Sequence, residues 1–152
     1  MYEYRAELIK VVDGDTVDVD IDLGFGVWLR NERVRIMGID TPESRTSDKV
    51  EKLFGLAAKN RVKKMLEKNV VLKTFAAKDG EDMKGKFGRI LGDFYIESEG
   101  KLLTEVMIDE GHAVPYYGQS KDDIQEQHLA NRERLVAKGV VVLEDILDEG
   151  LK

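Results

Sequence analysis

Between residues 17 and 23 the chain alternates apolar and acidic side chains at every step: Val17, Asp18, Val19, Asp20, Ile21, Asp22, Leu23. A period of two sends successive side chains to opposite faces, so this segment predicts a half-buried strand. The flanking segments 4–12 and 27–39 are rich in Val, Ile and aromatic residues, and Asp13-Gly14 and Leu23-Gly24-Phe25-Gly26 set them apart. Three consecutive antiparallel strands follow from these turn signals. After Asp48 the period changes, and Val50, Leu53, Phe54, Ala57, Ala58, Val62, Met65 and Leu66 fall on one face at helical spacing. A helix is expected over 48–68, capped by Ser47 or Asp48. Gly55 inside it costs about 1 kcal/mol relative to alanine and so signals close packing there. A strand over 70–76, a polar loop over 78–85 and a strand over 89–96 come next. Helices over 102–110 and 124–138, closed by Gly111 and Gly139, complete the pattern.

The order is therefore three strands, a helix, two strands and two helices, with no internal repeat and no low-complexity linker. Five short strands with a helix after the third suit an α+β fold with a mainly β core, a five-stranded OB-fold Greek-key barrel with three helices. At 152 residues one domain over 1–152 is expected. Hydrophobic residues at 42% with charged residues at 36% describe a solvated globule rather than a disordered chain.

The absence of cysteine removes disulfides, thiolate metal sites and a cysteine nucleophile, so any metal must be held by oxygen or imidazole. The longest apolar run, 140–143, is far short of the ~20 residues that span a bilayer. The start, Met1-Tyr2-Glu3-Tyr4-Arg5, lacks the basic segment and apolar stretch of a secretory signal, and a cytoplasmic location is expected. A formal net charge of -6 counts against a protein that merely coats nucleic acid, because phosphate backbones attract cationic surfaces. An enzyme whose acidic residues surround a bound cation escapes that objection, since the metal reverses the local sign.

Four pieces carry candidate chemistry: Asp13-Gly14-Asp15-Thr16, Arg35 ahead of Asp40-Thr41-Pro42-Glu43, Gly85-Lys86-Phe87-Gly88-Arg89, and Glu126-Gln127-His128-Leu129. Water attacking a phosphodiester builds negative charge on the non-bridging oxygens, which a divalent cation and guanidinium donors offset. Two carboxylates and a carbonyl suit a hard cation such as calcium, and a third carboxylate can deprotonate the water. Asp15 at the head of one strand and Asp40 at the tail of another can converge, with Pro42 fixing the loop that holds Glu43. Arg35 and Arg89 offer planar forks suited to phosphate oxygens.

In combination, Asp-Gly-Asp-Thr, Arg-(four residues)-Asp-Thr-Pro-Glu and Lys-aromatic-Gly-Arg resemble the staphylococcal nuclease-like family, in that family's order and over about residues 8–138. The resemblance implies an OB-fold, calcium-dependent endonuclease that cleaves the 5′ phosphorus–oxygen bond of DNA and RNA and leaves 3′-phosphates. It further implies that Asp15 and Asp40 hold Ca2+ together with the Thr41 carbonyl. Glu43 would be the general base, and Arg35 and Arg89 the phosphate-binding and transition-state arginines. Lys86, Phe87 and Tyr117 would contact substrate, Tyr116 fitting less well than Tyr117. A monomer acting on DNA or RNA, without a membrane partner, is expected.

Three features depart from the family pattern. Phe87 stands where tyrosine is familiar, which removes a hydroxyl contact and keeps stacking. Residues 22–33 form a longer, more hydrophobic stretch containing Phe25, Val27 and Trp28, expected to reshape substrate access or to cover another surface. The tail 139–152 carries no assigned role.

Simpler readings stand beside these. Asp13-Gly14 alone is a turn dipeptide, Asp40-Thr41-Pro42-Glu43 alone a loop with a helix cap, and Arg89 alone a surface residue. Arg33 is expected to pair across strands with Asp18, Asp20 or Asp22, a contribution of ~0.2–1 kcal/mol. Those three aspartates copy the spacing of an EF-hand loop, but Leu23 and Leu29 stand where glycine and glutamate are required. His112 and His128 read as packing or surface histidines, and Lys59, Lys63, Lys64 and Lys68 as a solvated helix face. The alternative to an enzyme is a non-catalytic OB-fold nucleic-acid-binding module.

Overall fold

The alternating segment forms the strand from which the rest of the barrel is built. In the computed structural model, which describes residues 2–75 and 89–143, it is β2 (Thr16–Gly24), between β1 (Tyr2–Asp13) and β3 (Val27–Ile36). There follow β4 (Ile39–Asp40), α1 (Lys49–Met65), β5 (Asn69–Thr74), β6 (Ile90–Ile96), β7 (Lys101–Leu102), α2 (Leu103–Asp109), β8 (Val114–Pro115) and α3 (Lys121–Ala137). The expected loop 78–85, and with it Lys86 and Phe87, lies outside the described residues.

Neighbouring strands run β3-β2-β1-β5-β6, and β3 pairs in parallel with β6, closing five strands into a ring. With three helices against it, this is the OB-fold-like α+β arrangement that the element order predicts. The interior is made by the apolar half of the alternation and its partners: Val17, Val19, Val34, Leu72 and Phe94 are wholly excluded from solvent. Each such side chain contributes about 1.5–3 kcal/mol of burial. A smaller cluster of Phe54, Leu135 and Val141 joins α1 to α3 and the chain beyond it.

The helices follow their caps. Asp48 accepts hydrogen bonds from the amides of Val50 and Glu51 at the start of α1. Ser120 accepts from the Asp123 amide and opens α3 at Lys121, three residues ahead of the expected 124. The expected strand 27–39 is two strands, because Gly38 turns the chain at φ 86 and the next two residues pair with β8 instead of the ring. Among the described residues no helix is long and apolar enough to cross a membrane.

The β2–β3 hairpin closes on Phe25-Gly26, with Gly24 paired to Val27. Both loop residues have positive φ, 56 at Phe25 and 76 at Gly26, and the Phe25 ring is fully exposed. For a residue with a Cβ this left-handed conformation costs roughly 1–2 kcal/mol.

Candidate active site

Register brings the charged motif residues to one end of the barrel. Thr16 on β2 lies opposite Arg35 on β3, and the Asp15 carbonyl accepts the Ile36 amide at 2.8 Å. In the parallel pair Val34 matches Ile90, so Arg89, one step before β6, arrives beside β3 at the same end. The turn at Gly38 then returns the chain, and β4 presents Asp40 opposite Val114 of β8. The hairpin tip at Phe25 is at the other end of β2 from Asp15. The exposed tip of the 22–33 stretch is therefore remote from this site, whereas Glu32 and Arg33 at its end line a second pocket that shares Asp13, Thr16, Arg45 and Arg89 with the cleft.

The result is a cleft of about 500 Å3 with Asp15, Arg35, Asp40, Thr41, Glu43 and Arg89 on its walls. All six motif residues expected to carry the chemistry are in one place. Tyr117 is 76% exposed and does not line it, although the Tyr116 amide donates to the Gly38 carbonyl and moors that segment beside β4. Asp13 and Arg45, which the motif reading did not single out as site residues, also line the cleft.

Arg35 is held rigidly. Its Nη1 donates to the Ile36 carbonyl, its Nη2 donates to the Ile39 carbonyl at 2.8 Å, and Nη2 stands 3.6 Å from Asp15 Oδ2. The pairing that sequence assigned to Arg33 is present: its guanidinium holds Asp18 through two hydrogen bonds, of 2.9 and 3.2 Å. That bond is also the main cause that raises the Arg33 pKa.

Glu43 is exposed to the cleft, and its backbone is fixed from behind. Gly55 of α1 packs so closely that a Cβ there would come within 2.2 Å of the Glu43 carbonyl oxygen. The close approach expected at this glycine thus buttresses the Glu43 loop. The Ser44 hydroxyl donates to Asp13 Oδ1, tying the same loop to the β1–β2 turn. In that turn Gly14 lies against Ala58 and Thr41, where a Cβ would meet the Ala58 Cβ at 2.8 Å.

The donor set fits a hard cation. Asp15 and Asp40 are carboxylates on the same walls, and Thr41 is buried between them with its amide 3.4 Å from Asp15 Oδ2. The Thr41 hydroxyl, buried, has no hydrogen-bond partner among the described residues. No three acidic or histidine side chains cluster as a metal cage among the described residues, so a cation here would have the carboxylates of Asp15 and Asp40, with carbonyl or water oxygens in its remaining positions.

His128 corrects the sequence reading. It is 8% exposed, and its Nε2 lies 2.8 Å from Asp40 Oδ2, so α3 reaches into the site. The Glu126-Gln127-His128-Leu129 piece was visible in sequence, but a contact across 88 residues was not. His112 is a packing histidine as expected, and burial lowers its pKa.

Residues 33–139 match the family described as staphylococcal nuclease homologue. The chain belongs to that family. It is 30% identical to an uncharacterized protein of Methanocaldococcus jannaschii over 74% of this chain and 59% of the relative. It is 30% identical to an SPbeta prophage-derived endonuclease of Bacillus subtilis over 78% and 40%, and 28% identical to a micrococcal nuclease of Shigella flexneri over 88% and 72%. The chain thus spans 59% and 40% of the length of the first two.

Proposed function

We propose that this staphylococcal nuclease homologue is a calcium-dependent endonuclease that hydrolyses DNA and RNA to 3′-phosphate products. The observation that carries this reading is the convergence of Asp15, Arg35, Asp40, Thr41, Glu43 and Arg89 on one cleft. The printed names of two relatives, an endonuclease and a micrococcal nuclease, support it.

Asp15, Asp40 and the Thr41 carbonyl would hold the calcium ion. When bound, that ion supplies positive charge against the phosphate oxygens. Glu43 accepts a proton from the attacking water, and its fixed backbone places the carboxylate before the reaction begins. Arg35 and Arg89 bind the non-bridging oxygens and meet the charge that grows on them during attack. The two carbonyl contacts of Arg35 fix its guanidinium at the cleft wall, 3.6 Å from the Asp15 carboxylate. Lys86, Phe87 and Tyr117 serve substrate binding in this reading.

The test is incubation of the purified chain with single-stranded DNA, duplex DNA and RNA, with calcium or with a chelator, followed by end analysis. Calcium-dependent fragments ending in 3′-phosphate, lost in Glu43→Gln and Arg89→Ala, are expected. Nucleic-acid binding that survives chelation, with no cleavage, would instead make the chain a binding module.

A further inference from the structure

The chain carries 30 acidic against 24 basic residues, yet one groove beside the active cleft is lined by Lys10, Arg45, Lys59 and Lys63 and by no carboxylate. Its volume is about 520 Å3, and its floor is apolar. Lys10 comes from β1, while Lys59 and Lys63 are one turn apart on α1 and therefore neighbours on its surface. Arg45 lines both this groove and the active cleft, so the two are one continuous surface.

The three lysines of this groove lack counter-charges among the described residues. Lys10, Lys59 and Lys63 make no ion pair with any described residue, whereas Arg33, Arg61, Lys73 and Lys101 all do. Asp18 lies opposite Lys10 in the β1–β2 register, but its carboxylate is taken by Arg33. Arg45 is 71% exposed and reaches Asp13 only at 3.8 Å. Like charges one helical turn apart repel each other mildly, and an anion between them reverses the sign of that interaction.

We infer that Lys10, Lys59 and Lys63, joined to the cleft through Arg45, form a phosphate track. It holds a nucleic-acid strand several nucleotides beyond the bond being cut. This rests on the nuclease reading and deepens it. Arg33 is not part of the track, because Asp18 already neutralises its charge. Lysine ammonium groups act as point charges without base contacts, so the track confers a preference for longer substrates and none for sequence. It also answers the acidic net charge: affinity for polyanion is gathered into one band, not spread over the surface.

The experiment compares KM and kcat for a trinucleotide and a twenty-nucleotide single strand, over a range of salt, with calcium present. The variants are Lys10→Ala/Lys59→Ala/Lys63→Ala and a charge-matched control, Lys64→Ala/Lys101→Ala/Lys138→Ala, each checked for folding by circular dichroism and thermal unfolding. In the track variant the KM for the long strand rises about tenfold, and the salt slope of log KM falls by about 2, near 0.7 per lost phosphate contact. The control keeps the wild-type length preference. An equal rise in both triples, or a wild-type protein indifferent to length, overturns the track and leaves the nuclease standing. If the wild type cleaves nothing, the nuclease reading fails, and Kd for the long strand by fluorescence anisotropy decides the track on the same comparison.

Discussion

The imidazole Nε2 of His128 lies 2.8 Å from Oδ2 of Asp40, linking the last helix to a carboxylate of the cleft. Among the described residues His128 engages one of the two Asp40 oxygens, and the contact fixes the rotamer in which the other is offered. Outer partners of metal-binding carboxylates are worth about 10–100-fold in metal affinity or activity. His128→Ala is therefore expected to weaken calcium binding by at least about tenfold, measured by calorimetry on the full chain. Leu135→Ala, which disturbs the packing of α3 without touching Asp40, serves as the control. Equal calcium affinities for wild type and His128→Ala would remove the positioning role.

Gly55→Ala places a methyl 2.2 Å from the Glu43 carbonyl oxygen and 2.6 Å from the Ser44 amide nitrogen. Backbone cannot swing aside as a side-chain end can, so the loop or the helix must move. A loss of about 1–3 kcal/mol in urea unfolding is expected, the range for overpacking. Activity should fall further than stability accounts for, because the displaced element carries Glu43. A fully active variant would show that the loop tolerates the shift.

The hairpin tip offers the opposite sign. Phe25 holds φ 56 with its ring wholly in solvent, so it contributes strain and no burial. Asn-Gly is the favoured pair for a two-residue turn with both φ values positive. Phe25→Asn should raise the urea midpoint by the equivalent of about 0.5–1 kcal/mol without changing nuclease activity, since the tip is remote from the cleft. Destabilisation would mean that the ring is packed in a way this conformation does not show.

Asp93 supplies a pH-dependent test. It is 3% exposed, and burial raises its pKa against the Thr104 hydroxyl and the Phe94 and Thr104 amides, which lower it. A carboxyl raised in the folded state binds its proton more tightly there than when unfolded. Its favourable contribution is present below the unfolded carboxyl value of ~3.9 and is lost as pH rises through the folded value. Asp93→Asn cannot ionise and keeps an acceptor for the amides. The stability of the variant minus that of wild type should become more positive between about pH 3.5 and 7, by urea unfolding at each pH. A pH-independent difference would show that the hydrogen bonds offset burial, and one that becomes more negative as pH rises would show that they dominate.

What the sequence displays is what repeats locally. Val17 to Leu23 announces its strand because seven residues alternate without a break, and the α1 stripe does the same at helical period. The site residues are legible because short motifs must sit at turns and strand ends, and strand register then carries them to one place. β4, β7 and β8 have two residues each, too few for any period to show. The start of α3 was missed although Ser120, Asp122 and Asp123 form a sound helix opening, because the apolar pattern begins only at Ile124. His128 and the lysine track were missed for a different reason. Their neighbours lie far away in sequence, and a histidine or lysine on a helix has nothing in its own surroundings to mark it.

The pairing of Asp40 with Val114, together with the reach of His128, means that the cleft is complete only once the chain has been made as far as α3. A nascent chain that has passed Arg89 already carries Asp15, Arg35, Asp40, Glu43 and Arg89, yet its Asp40 strand lacks both its pairing partner and its imidazole. The proposed cutting activity would then wait until α3 has left the ribosome, a protective order for a protein whose own messenger belongs to its proposed substrate class.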